Sequence, residues 1–181
     1  MPLPKEHLYT VDDIYNLPDG QRAELIDGQI YNMAPPSRKH QDILSFLHLA
    51  IGNYINQNGG NCKIYPAPFA VFLGKDQYTY VEPDISVICD PDKLNDRGCN
   101  GAPDWIIEIV SPGSKSMDYY TKLTLYRTAG VREYWIVDPQ RQVILVYDME
   151  HGEGPVIRSF NDSISVMIYP GFSVDFSLLK F

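Results

Sequence analysis

The sequence predicts a single α/β domain over residues 1–181, and three observations carry that reading. An apolar strand, a helix and a second strand follow one another between residues 104 and 137. The pair Asp27-Gly28 separates two short extended segments, and residues 37–57 repeat apolar side chains at helical spacing.

Composition agrees: 44% of the 181 residues are hydrophobic and 21% charged, enough to bury a core without a disulfide or structural metal. No apolar run approaches the roughly 20 residues of a membrane span, so no membrane helix is expected. The first ten residues lack the apolar core of a secretory signal. Cys62, Cys89 and Cys99 form no Cys-x-x-Cys pair and cannot all be bridged within the chain, so a reducing, cytoplasmic setting is expected. With 15 Lys+Arg against 23 Asp+Glu the net charge is −8. Bulk attraction to nucleic acid is therefore absent, and a polyanion would need a local basic patch or metal ions that neutralise the acids.

Thr10 is placed to cap a short helix, with Asp12 and Asp13 at its positive end and Pro18 ending it. Residues 23–26 and 29–33, joined by Asp27-Gly28, read as a β-hairpin. Ser37 caps a long helix to about Gln57, with Ile43, Leu47, Ala50, Ile51 and Tyr54 on one face. Residues 62–73 and 80–89 read as adjacent strands around a turn at 74–77, and residues 90–103 as a surface loop. The run Asp104-Trp-Ile-Ile-Glu-Ile-Val110 is too apolar for an edge and is expected at the sheet centre. A helix from about Ser114 to Ala129, capped by Gly130, and a strand at 133–137 complete a β-α-β unit. After an Asp138-Pro139 turn, residues 142–147, 156–160 and 165–168 read as a β-meander.

Common catalytic signatures are missing. There is no GxGxxG, GxxxxGK[ST] or GxSxG, the lone SxxK at Ser177–Lys180 lies at the end of the chain, and the four histidines show neither HxxxH nor HExxH. What remains is acids on interior strands. Asp84 shares a face with Glu82, Ser86 and Ile88, and Glu108 sits mid-strand between Ile106 and Val110. A carboxylate there costs several kcal/mol to desolvate unless a cation or hydrogen-bond donors meet it, so such acids mark ion pairs or metal sites. On the following helix Lys122 falls on the inward stripe with Leu125, Tyr126 and Ala129, one turn after Asp118. Two uses fit this lysine equally: a counter-charge to Glu108 or Asp118, or the cation of metal-assisted phosphodiester hydrolysis.

The string from Glu108 to Pro139, with AELIDGQI at 23–30 and EPDISVI at 82–88, resembles the Uma-type family of putative restriction endonucleases within the PD-(D/E)XK nuclease superfamily. The likeness covers residues 20–140, and its most distinctive stretch, SPxSxxxD-xxxK-xxxY-xxxGVxEYWxVDP, is complete. It implies a restriction-endonuclease-like fold: a mixed, bent central sheet flanked by helices, with an N-terminal hairpin and a C-terminal meander. It also implies Mg²⁺-dependent hydrolysis of DNA, with Mn²⁺ able to substitute, leaving a 5′-phosphate. The family carries an aliphatic residue, here Val110, where the superfamily has its usual lysine, and a lysine from the next helix, here Lys122, does its work. On this reading Asp84 and Glu108 are metal ligands, the Ile109 carbonyl adds a third, and Lys122 positions the attacking water and stabilises the pentavalent charge. Glu24 either serves a second metal or metal-bound water, or is only a cross-strand hairpin partner. Asp118 and Tyr126 are expected to hold Lys122 and to pack, and His40 is either a satisfied interior histidine or a phosphate contact. A homodimer is expected, because enzymes of this type commonly cut two strands and the segment 142–172, with Tyr147, Phe160, Tyr169 and Phe172, has more apolar residues than a thin layer can bury. The rival reading is a catalytically inert nucleic-acid-binding or protein-assembly module that keeps the fold and an ion site.

Overall fold

The structure is a computed structural model that describes residues 7–74, 76–152 and 154–181. Helix α1 (Val11–Tyr15) starts after Thr10, whose N–H and hydroxyl both donate to the Asp13 carboxylate. Strands β1 (Ala23–Ile26) and β2 (Gln29–Asn32) pair antiparallel as the expected hairpin. Its turn requires positive φ at both central residues, 50° at Asp27 and 76° at Gly28, which this residue pair tolerates. Helix α2 (Arg38–Asn58) begins at Ser37, whose side chain accepts the His40 N–H. Its buried stripe is His40, Ile43, Leu47, Ile51 and Ile55, while Tyr54 turns aside to stack on Phe172.

Next come β3 (Lys63–Pro66), β4 (Val71–Phe72), β5 (Ile85–Ile88), β6 (Leu94–Asn95), β7 (Gly98–Asn100) and β8 (Trp105–Ile109). A helical segment at Met117–Thr121 with the wide π spacing leads into α3 (Lys122–Ala129), which ends at left-handed Gly130. Strands β9 (Glu133–Asp138), β10 (Val143–Asp148), β11 (Val156–Ser159), β12 (Ser163–Ser165) and β13 (Ser173–Asp175) follow. The main sheet has the order β11-β10-β9-β8-β5-β3, with β8 and β9 parallel and the other pairs antiparallel. This is the mixed central sheet, with the expected β-α-β unit at its middle. On one face Ile43, Leu47 and Ile51 of α2 pack with Trp105, Ile107 and Trp135. On the other, Tyr126 of α3 packs with Ile106, Tyr134 and Ile136. The period of two along β8 therefore turns Glu108 toward α3. Among the described residues no helix is long and apolar enough to cross a membrane.

Four expectations are corrected. The run 62–73 is not one strand: Pro66 and Pro68 lack N–H donors for a continuing ladder, and β4 pairs instead with β7. Residue 75 of the expected 74–77 turn lies outside the described residues. The supposed loop 90–103 folds into the β4-β7-β6 sheet and buries Cys99. The meander stops at β11; β12 pairs with β13 in a separate small sheet, and residues 166–168 form no strand. Finally, Cys62 and Cys89, for which a reducing setting was expected, are joined as a disulfide. The antiparallel register Lys63↔Ile88 brings them opposite one another just beyond the ends of β3 and β5.

Candidate active site

Five elements converge on one cleft of ≈ 680 Å³, lined among others by Glu24, His40, Asp84, Glu108, Asp118 and Lys122. β1 carries Glu24, and the first turns of α2 carry His40. Asp84 directly precedes β5, and the pairing Ile85↔Ile107 sets it opposite Glu108 on β8. The helix crossing back from β8 to β9 supplies Asp118 and Lys122. Its π turn at Met117–Thr121 contains Asp118 and runs directly into Lys122, and such turns are frequent at functional sites.

Lys122 is the centre of the arrangement. Its Nζ is 2.9 Å from Glu108 Oε1, 2.9 Å from Glu24 Oε2 and 3.8 Å from Asp118 Oδ1. Glu108 Oε1 also accepts the Tyr126 hydroxyl at 2.6 Å, so Tyr126 bonds the acid and does not hold the lysine. Glu24 Oε1 accepts the Glu82 backbone N–H at 3.0 Å, while the Ser114 hydroxyl donates to Asp118 at 2.5 Å. Asp84 Oδ2 accepts the Ile109 N–H at 2.7 Å and lies 3.1 Å from His40 Nε2. A carboxylate only accepts, so the His40 nitrogen facing it carries the hydrogen. Nδ1 of His40 is buried with no hydrogen-bond partner among the described residues. The histidine is thus neither fully satisfied nor remote from the site.

Electrostatics follow from crowding. Burial drives the Glu108 carboxyl well above its usual range, with Lys122 opposing and Asp118, Asp84 and Glu24 reinforcing. Burial likewise raises Asp118 to about 6 against the pull of Lys122. Burial disfavours the charged form of Lys122 too, but Glu108, Glu24 and Asp118 together hold it well above its usual value. Four acids thus face one firmly charged lysine and one histidine.

All four side chains singled out from the sequence, Glu24, Asp84, Glu108 and Lys122, are brought to this cleft, as is Ile109. Glu82, placed on the face of Asp84, also lines the cleft, but its carboxylate is used away from Lys122: it forms an ion pair with Arg22 and accepts the Tyr80 hydroxyl. The contact of His40 with Asp84 spans 44 residues of sequence, and only the position of His40 on an inward helical face hinted at it. The aromatics expected to cover a dimer interface are used internally. Tyr147 and Phe160 are buried, Phe160 and Phe176 rings lie 5.4 Å apart, and Tyr169 and Phe172 flank Tyr54.

Among the described residues no three His, Cys, Asp or Glu side chains form a ready metal cage. Asp84 and Glu108 both line the cleft, and carboxylate oxygens are the donor type that suits a hard ion such as Mg²⁺ or Mn²⁺. The excess of acids over cations in the cleft fits the same charge.

A family model described as a putative restriction endonuclease, Uma2, matches residues 11–178. An uncharacterized protein of Synechocystis, slr1290, is 31% identical over 128 residues, which are 70% of this chain. The matched region spans 66% of that relative's length. The crystal structure of a putative nuclease from Anabaena variabilis superposes with a TM-score of 0.77, covering 94% of this chain and 96% of that one, at 21% identity. That likeness establishes the fold. With a family model that spans residues 11–178, nearly the whole chain, the chain belongs to the Uma2 family of putative restriction endonucleases.

Proposed function

We propose that this protein is a Mg²⁺-dependent endonuclease, with Mn²⁺ able to substitute, that hydrolyses DNA phosphodiester bonds by in-line attack of water. The observation that carries the reading is the surplus of acid around Lys122. A structural salt bridge needs one acid for one lysine, whereas Glu108, Glu24 and Asp118 all lie within 4 Å of this ammonium, with Asp84 opposite Glu108. Asp84, Glu108 and the Ile109 carbonyl would hold the metal, which when bound supplies positive charge against the developing charge of the phosphate. The Ile109 N–H orients Asp84, and the Tyr126 hydroxyl orients Glu108. Lys122, kept charged by Glu24 and Asp118, positions the attacking water and stabilises the pentavalent phosphate, so that positioning and electrostatics supply the chemistry.

The test is incubation of plasmid and single-stranded DNA with wild type, Asp84→Ala, Glu108→Ala and Lys122→Ala, in Mg²⁺, Mn²⁺ or a chelator. Wild type should cut only with metal, the two acid variants should be silent, and Lys122→Ala should keep metal binding while losing most turnover. Equal cleavage by all four proteins would mean a contaminating nuclease and no activity of this chain.

We also propose a homodimer, its interface moved from the aromatics of 142–172 to the sheet edge, where β11 leaves Val156 and Ile157 exposed beside unpaired backbone groups. Light scattering that gives the mass of one chain at micromolar concentration would reject it. A cytoplasmic setting, where DNA is met, is proposed as well. The Cys62–Cys89 disulfide stands against it, and a thiol count on acid-quenched cells decides.

A further inference from the structure

We infer that the cleft takes its nucleic acid as an unpaired strand, with Tyr31 stacking on one base; this rests on the nuclease reading above. In the hairpin register Tyr31 is the direct partner of Glu24, and partners across an antiparallel ladder point to the same face. Tyr31 therefore rises from the face that carries Glu24 to Lys122. It is 37% exposed and lines the cleft. Tyr54 and Tyr65 are already stacked on Phe172 and Phe69, whereas Tyr31 meets no other ring among the described residues.

The chain continues from Tyr31 along the cleft with Met33, Pro35 and Pro36, a wall without an acid. The opposite charge condition holds deeper in, where four carboxylates gather. A protein of net charge −8 gains nothing from bulk attraction to phosphates, and the cations lining the cleft besides Lys122 are already engaged. Arg22 is paired with Glu82, and Lys39 donates to the Pro139 carbonyl at 3.1 Å. Stacking on an aromatic ring is a source of affinity that needs no charge and accepts any base. Only an unpaired base has a face to offer, because in a duplex each face is covered by its neighbours and only the edges are open. A cleft of ≈ 680 Å³ is also of the size that encloses a small organic group.

The test is fluorescence anisotropy with dye-labelled oligothymidylate and with a duplex of equal length, each titrated with wild type, Tyr31→Ala and Tyr31→Phe in Ca²⁺. The single strand should bind at least about tenfold more tightly than the duplex, Tyr31→Ala should lose about tenfold on the single strand, and Tyr31→Phe should keep wild-type affinity. Thermal melts of all three should coincide, since Tyr31 is at the surface. Equal or tighter duplex binding, or an unchanged Tyr31→Ala, overturns the inference. If duplex is both bound and cut, with Tyr31→Ala indifferent, the nuclease reading stands and the inference alone fails. If neither nucleic acid is bound or cut, both fall.

Discussion

Glu108 and Glu133 sit on neighbouring parallel strands, β8 and β9, and are 4% and 0% exposed. Glu133 is met by neutral, fixed donors. Its Oε1 accepts the Trp135 indole N–H at 2.7 Å, and its Oε2 accepts the Met167 and Ile168 backbone N–H groups at 2.9 and 3.0 Å. Burial raises its pKa while those three donors pull the other way. Glu108 is met by a cation and a hydroxyl, both on Oε1, at the wall of a cleft shared with four more acids, Glu24, Glu82, Asp84 and Asp118. Glu133 ties the segment after β12 to the central sheet, whereas Glu108 shares its cation with Glu24 and Asp118. Burial of an acid does not mark a functional site; the kind of partner that meets it does.

The largest contrast should come from truncating each acid. Glu133→Ala strands three N–H groups and should cost about 4 kcal/mol, at about 1–3 kcal/mol per stranded donor. Cleavage per folded molecule should be unchanged. Glu108→Ala leaves Lys122 with Glu24 and Asp118, so its cost should stay below about 2 kcal/mol, while cleavage falls at least a hundredfold. Urea unfolding and a plasmid-nicking assay on both variants check this. Reversed stabilities would break the comparison.

Next in size is the pH response of the cluster. Asp118 titrates at about 6 in the folded protein against its ordinary 3.8, so the folded state holds this proton more tightly than the unfolded chain does. Its contribution to stability is therefore best below pH 3.8 and falls as pH rises through 6, by about 3 kcal/mol for a shift of about two units. Relative to wild type, Asp118→Asn should gain about that much between pH 4 and pH 7, measured by urea unfolding at both. A pH-independent difference would mean that Lys122 neutralises Asp118 fully.

The smallest effect expected is that of His40, which acts through Asp84. His40→Ala should slow cleavage about tenfold, and His40→Gln, which keeps an N–H donor, should recover part of it. Stability should move by no more than about 1 kcal/mol. Identical rates in the two variants would reduce His40 to a packing residue.

Where local rules govern, the sequence was legible. Asp27-Gly28 specifies its hairpin, Ser37 starts α2, and the 100° spacing turns Lys122 inward, where the cluster forms. Asp84 and Glu108 stood out because acids on apolar strands are costly. What stayed hidden depends on long-range register. Nothing local to Val71–Phe72 says that it pairs with residues 99–100, and nothing near Cys62 names Cys89 as its partner. Glu133 and Glu108 look alike as acids on apolar strands, and the Met167 and Ile168 donors that distinguish them lie some 35 residues away. His40 was ambiguous for the same reason, since its partner Asp84 arrives from another element.

The central claim, that the Glu108 cleft is built for a divalent cation, is tested most directly without substrate. Thermal melts of wild type, Glu108→Gln and Glu133→Gln with and without Ca²⁺ read the binding itself. At about 100 times Kd, wild type should gain about 2.7 kcal/mol, a rise of several degrees in Tm. Glu133→Gln should show the same rise from a lower start, and Glu108→Gln should lose most of it. No rise in wild type, together with a strongly destabilised Glu108→Gln, would make the Glu108–Lys122 contact a structural ion pair and contradict the account.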